Sequence, residues 1–376
     1  MKKIIFIIQI TCIVSLFSCV KKTETNDSIA VNINLKENLA PKSIYYSDYI
    51  DSISYVVLKN KNIIGNVKNI KYINEKYYVY DGSASSILIF EKNGNYYNTL
   101  SMHGKGPNEY LTIDAFDVNP ITGDISILEV SSKRITRYSI NGQMLKRIKI
   151  KNLARYFAVF PSGNYLLFTP DYMENNRRGL WKINDNGKFI DQLLSIDTKH
   201  KFEILKPNFF NRLNNDTIGL IGIEDKDEIY HITDTNVKAK YKMKFDIDFP
   251  VKIKEKESTT IDLGKYAGKI YTKDFYLEFK NLMLLAVSDF KKSKLIFFDK
   301  NKGETISDFE FINNIDGVIG FPTSYYFENK IVNNVPPVLP INFPKERKDF
   351  HNNFVDSLNI EMPKNSIILQ ILHLKN

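Results

Sequence analysis

A repeat about 48 residues long constrains this chain more than any other feature. The stretch from Tyr80 to Gly94, YDGSASSILIFEKNG, aligns with that from Leu128 to Gly142, LEVSSKRITRYSING. An acidic residue, serines, an isoleucine, an aromatic three residues after it and a closing Asn-Gly recur in both. Self-similarity at such a period marks folds built by stacking one supersecondary unit on copies of itself. The Asn-Gly pairs Asn93-Gly94 and Asn141-Gly142 predict tight hairpins with positive φ at both central positions. Weaker copies begin at Leu180, Ile229 and Leu295, and a sixth at Ile367.

Between these marks the chain reads as strands. Short β-branched and aromatic runs such as Ile53 to Leu58, Tyr77 to Tyr80, Ile87 to Phe90 and Asp124 to Leu128 alternate with Asn, Asp and Gly turns. The stretch Lys273 to Ser288 reads either as a helix or as two strands split near Lys280-Asn281. Repeats of 45 to 50 residues with four strands each match propeller blades. The expected fold is therefore all-β: a six-bladed β-propeller with blades of four antiparallel strands. A closed ring needs a strand from one terminus to complete the blade begun at the other, and Ile53 to Leu58 is placed to do so. Longer gaps put insertions near 250–270 and 328–362. Pro336-Pro337 and Pro340 argue against a regular central strand in the second.

The pattern Asp81, Ile87, Phe90, Asn93-Gly94, followed by Gly104-Lys105-Gly106-Pro107-Asn108-Glu109-Tyr110, resembles the six-bladed β-propeller lipoproteins of Bacteroidota. These are distant relatives of NHL-repeat propellers. The resemblance covers roughly 50–376 and is strongest over the first two repeats. It implies a fold and an envelope location, and no activity or catalytic residue.

The N-terminus agrees with that location. Lys2 and Lys3 precede an apolar run from Ile4 to Phe17, and Ser18 precedes Cys19. This reads as a lipoprotein signal over 1–18, with Cys19 as the lipid attachment site. The run is too short for a comfortable membrane span, which needs about 20 apolar residues. Residues 19–48 read as a lipidated flexible tether, and 49–376 as the propeller. No acidic run follows Cys19, which favours an outer-membrane anchor facing the periplasm. The other cysteine, Cys12, leaves with the signal, so no disulfide is expected.

Net charge is +9, or +7 once Lys2 and Lys3 are removed with the signal. The lysines are dispersed among acidic residues, with no basic block of the kind that binds nucleic acid. The sharpest local motif is Gly104 to Tyr110, where two glycines and a proline set a rigid turn. Lys105, Glu109 and Tyr110 are the candidate ligand-facing residues. The competing reading makes the segment an inter-blade connection, with Tyr110 filling the core.

Nucleophile-elbow, zincin and Cys-x-x-Cys motifs are missing, and the five histidines are scattered. Neither a cofactor nor a metal is expected. Glu224 to Glu228 reads as a solvated turn, and Asp114 and Asp117 as turn and strand-end residues. The reading favoured is a membrane-anchored, noncatalytic binding or scaffolding propeller, monomeric, with an envelope protein, peptide or glycan as ligand. The alternative is a hydrolase or lyase acting on a glycan or lactone, with a site at the central channel that could be metal-dependent.

Overall fold

The computed structural model describes residues 28–33, 42–60, 64–170, 178–196, 209–221, 227–245, 272–288, 293–307, 309–319, 321–327, 329–336, 339, 343–358 and 367–375. Of these, the side chains of 272–275, 288, 293 and 321–327 lie outside the description. The chain forms a six-bladed β-propeller of four-stranded antiparallel sheets. Blade I comprises Val67–Ile73, Lys76–Asp81, Ser86–Glu91 and Tyr96–Leu100. Blade II comprises Ala115–Val118, Ile125–Glu129, Arg134–Tyr138 and Met144–Lys149. Blade III comprises Tyr156–Val159, Tyr165–Thr169, Gly179–Ile183 and Phe189–Ser195. Blade IV comprises Phe210–Arg212, Ile218–Leu220, Glu228–Ile232 and Val237–Phe245. Blade V comprises Thr272–Glu278, Leu282–Ser288, Ser293–Asp299 and Glu304–Ser307.

Blade VI closes the ring. Its first three strands are Phe321–Phe327, Lys330–Val335 and Ile367–Leu374, and its fourth is Ile50–Leu58 from the other end of the chain. Leu369 faces Val56 and Ile371 faces Ser54 across that antiparallel seam. The expected closing strand is thus in place, three residues longer than its apolar run.

Every copy of the sequence repeat falls on the third strand of a blade. That strand is buried on both sides because neighbouring blades cover it. Ile87 and Ile89 pack with Phe116, Val118 and Ile127 of blade II. Leu88 and Phe90, on the other face, pack with Val332, Leu369 and Ile371 of blade VI. Equivalent clusters join II to III, III to IV, IV to V and V to VI. Two buried faces explain why these strands read as continuous apolar runs rather than as alternation.

The repeated turns differ from expectation in one detail. Gly94 and Gly142 have φ of +83° and +84°, while Asn93 and Asn141 are not at positive φ. Gly94 N–H donates to Glu91 O and Glu91 N–H to Asn95 O, both at 2.8 Å. The turn is a three-residue loop with a left-handed glycine and a bulge rather than a two-residue hairpin. A second irregularity lies further along the same strand pair, where the register shifts between Ile89 and Phe90 and leaves Tyr97 as the extra residue. Glycine is required at 94 for a second reason: a Cβ there would lie 2.0 Å from Val57 O of the closing strand.

Three other expectations are corrected or resolved. Lys273 to Ser288 is two strands, turning at Lys280-Asn281. The segment read as a tether carries two strands: Ile29–Ile33 adds in parallel to the outer edge of blade IV, and Lys42–Tyr45 pairs in parallel with Phe309–Ile312. Val31 and Ile33 are fully buried between blades IV and V, so the fold begins well before residue 49. The 328–362 insertion contributes a blade strand that ends just before Pro336. It then forms the helix Lys345–Ser357, which packs Phe354 and Val355 on Tyr55, Val57 and Ile368 of blade VI. The expected insertion at 250–270, the proposed signal over 1–18 and Cys19 lie outside the described residues. No helix among the described residues is long and apolar enough to cross a membrane.

Candidate functional site

The first strand of each blade is its innermost, and first strands meet around the axis between blades II and III, III and IV, V and VI, and VI and I. Where the first strands of blades I to IV begin, their side chains enclose a cavity of about 480 Å³. Four cations line it, Lys68, Lys71, Arg155 and Arg212, against two carboxylates, Asp114 and Asp117. Aromatic rings form much of the remaining wall. Tyr156 of blade III stacks on Phe209 of blade IV, with centroids 4.5 Å apart and planes 9° from parallel. Phe209 in turn meets Phe210 edge-on at 5.1 Å.

Asp117 organises the floor. It is buried, and it pairs with Lys71 of blade I at 3.0 Å and with Arg212 of blade IV at 2.8 Å. Val159 N–H of blade III donates to the same carboxylate at 2.8 Å. Burial by itself would raise the Asp117 carboxyl, but the Lys71 and Arg212 charges and the Val159 N–H hold it below the ordinary carboxylate range. Asp114, at the rim, accepts from Val130 N–H at 2.8 Å and Thr112 Oγ1 at 3.0 Å. Lys68 and Arg155 have no side-chain hydrogen bond or ion pair among the described residues. The Arg155 backbone N–H is fixed to Phe168 O at 2.9 Å. The cavity therefore holds two committed cations and two spare ones. Sequence reasoning singled out Asp117 only as a strand-end residue, and it missed Lys68, Lys71, Arg155 and Arg212, which carry no motif.

The Gly104 to Tyr110 segment lies elsewhere. It links the end of blade I to the start of blade II, and none of its residues lines the cavity. Tyr110 is fully buried and donates its hydroxyl to Ser85 O at 2.7 Å. It fills the core, with no exposed surface. Glu109 folds back to accept Gly106 N–H at 2.6 Å, and a Cβ on Gly104 would strike its carboxylate at 2.0 Å. Lys105 is exposed on this strap. The glycines serve close packing of the loop on itself.

A second polar cluster joins blades IV and V. Glu278 accepts from His231 Nε2, Tyr241 Oη and Lys300 Nζ, each at 2.7 Å, and from Tyr276 Oη. Burial would raise its carboxyl, but His231 and then Lys300 bring it down to about 2. Every partner is a blade residue, so the cluster reads as a seam between sheets. His351 sits under the blade VI helix with Nε2 2.6 Å from Pro336 O, and His373 Nε2 lies 2.8 Å from Ser54 Oγ. No group of three or more His, Cys, Asp or Glu among the described residues is gathered to hold a metal. Most of the acidic run 224–228 lies outside the described residues.

With this geometry in hand, the chain can be placed among known proteins. The model of a family described as "Domain of unknown function (DUF4934)" matches residues 30–369. No curated protein matches. Among solved structures, a Bacteroides fragilis protein described as exported superposes with a TM-score of 0.68 at 15% identity, covering 92% of this chain and 100% of that one. A member of the DUF4221 family from Bacteroides vulgatus gives 0.45 at 9% identity, covering 87% of this chain and 98% of that one. Virginiamycin B lyase from Staphylococcus aureus gives 0.42 at 11% identity, covering 85% and 100%. These likenesses concern the fold alone.

Proposed function

The chain belongs to the DUF4934 family, and from the chemistry of its channel we propose that it is an envelope propeller that binds its ligand without converting it. One observation carries this reading: four blades converge on a cavity whose cations exceed its carboxylates, with two of those cations left over. Propellers offer rigid platforms whose function lies in the groups displayed on them. The buried carboxylate is poorly suited to acid-base work. Asp117 is held ionised and is spent on Lys71, Arg212 and Val159, while Asp114 accepts from Val130 and Thr112 through one oxygen. The signal-like start and Cys19 support export and lipid anchoring to the outer membrane, facing the periplasm. The propeller is taken to act as a monomer on an envelope ligand.

The test is capture from a native envelope fraction with unlipidated protein carrying Cys19→Ala, compared with the same protein carrying Arg155→Glu as well. A component retained by the first and lost by the second is expected. Identical captured sets from both would remove the cavity from the function. In cells, Cys19→Ala should move the protein from the membrane to the soluble fraction.

A further inference from the structure

We propose that the cavity takes an anionic glycan, with the carboxylate or sulfate of one sugar on Arg155 and Lys68 and the sugar ring against Tyr156 and Phe210. This rests on the reading of the cavity as the binding site, and adds the class of ligand.

The charge pattern comes first. Lys71 and Arg212 are neutralised by Asp117 at the floor. Arg155 is half-buried in the wall with its guanidinium unpaired among the described residues. A charge withdrawn from water without a counter-charge is costly, and an oxyanion supplied by a ligand would relieve that cost. The planar guanidinium offers parallel donors that match carboxylate or sulfate geometry, and Lys68 at the mouth adds a mobile second charge. A cleft lined by excess positive charge also concentrates anions near it.

The wall narrows the choice. Sites for small molecules are usually lined mainly by hydrophobic groups with a few polar ones, in volumes of about 300–1,000 Å³. Here about 480 Å³ is bounded by rings interleaved with charged side chains. Such a wall suits a ligand with one apolar face and a dense polar edge. A pyranose has that form, its C–H face able to lie on a ring while its hydroxyls reach charged groups. Asp114 keeps one carboxylate oxygen for a sugar hydroxyl, since both its bonds are made through Oδ2. Lys68 and Asp114, where the inner strands begin, are exposed while Asp117 further along is buried, so a longer chain could continue outward past them from the bound sugar.

The experiment is calorimetric titration of the full chain carrying Cys19→Ala with three probes: an oligogalacturonate trimer, a sulfated galactan trimer and neutral galactotriose. At least one acidic probe should bind, and whichever arm responds identifies the acid as carboxylate or sulfate. Its affinity should fall about tenfold in Arg155→Ala and by a smaller factor in Lys68→Ala. It should stay unchanged in Lys105→Ala, an exposed lysine on the inter-blade strap. Equal binding of the neutral sugar would overturn the proposal, and so would an equal loss in Lys105→Ala, which would signal diffuse surface attraction. Failure of both acidic probes, with envelope capture still abolished by Arg155→Glu, would overturn the ligand class and leave the cavity reading standing. Capture insensitive to Arg155→Glu would remove both.

Discussion

Glu278 shows how much a single side chain contributes where two blades meet. Its folded carboxyl lies at about 2, against an ordinary value of 4.5. A depressed carboxyl contributes stability that is complete above the unfolded value and lost as pH falls through the folded one. The window is therefore pH 4.5 down to 2, and the contribution is on the order of 3 kcal/mol. Urea midpoints measured at pH 7, 4.5 and 3 should show the wild type losing stability across this window, with Glu278→Gln losing less. Parallel losses would show that the seam does not titrate as described. Nothing around 278 announced this role. Its partners His231, Tyr241 and Lys300 lie on separate strands and turns, and a buried acid whose partners are distant in sequence leaves no local pattern.

Among the elements, the two N-terminal additions differ in kind. Ile29–Ile33 is an extra strand on a sheet already complete, whereas Ile50–Leu58 is one of the four strands of blade VI. A chain beginning at residue 42 should still close its ring, with a lower melting temperature from losing the buried Val31 and Ile33, about 3 kcal/mol in all. A chain beginning at residue 60 lacks the closing strand and exposes the edge of Ile367–Leu374, so it should aggregate on size exclusion. A stable monomer from the second truncation would show that closure is dispensable. The third strands were legible because both their faces are buried, which writes a continuous apolar run. The inner strands of blades II to IV were less so, since they are short and line a polar channel: Ala115–Val118 and Tyr156–Val159 have four residues each, and Phe210–Arg212 has three and carries an arginine. The parallel strand Ile29–Ile33 was hidden because its partner lies about 200 residues away, across the fold.

Across the whole molecule, Asp117 links blades I, II, III and IV through Lys71, Arg212 and Val159. Asp117→Asn would leave two cations facing each other over the channel. Removing one partner of a buried pair costs about 3–5 kcal/mol, and partial exposure of Lys71 and Arg212 reduces this to about 2–3. A single denaturation transition, moved to lower urea by that amount, is expected. A change below about 1 kcal/mol would show that the triad does not hold the blades together.

Blade number, the four strands of each blade and ring closure were legible in the sequence alone. Each blade must bury two faces against its neighbours, and that demand is met by residues close together in the chain and repeated along it. Only the tertiary structure decided the site. Arg212 meets Asp117 across 95 residues, and Arg155 and Lys68 join them only because inner strands of successive blades converge on one axis. Burial is imposed locally and leaves a periodic trace, whereas a channel is assembled from one or two side chains per blade, and no short stretch of sequence contains it.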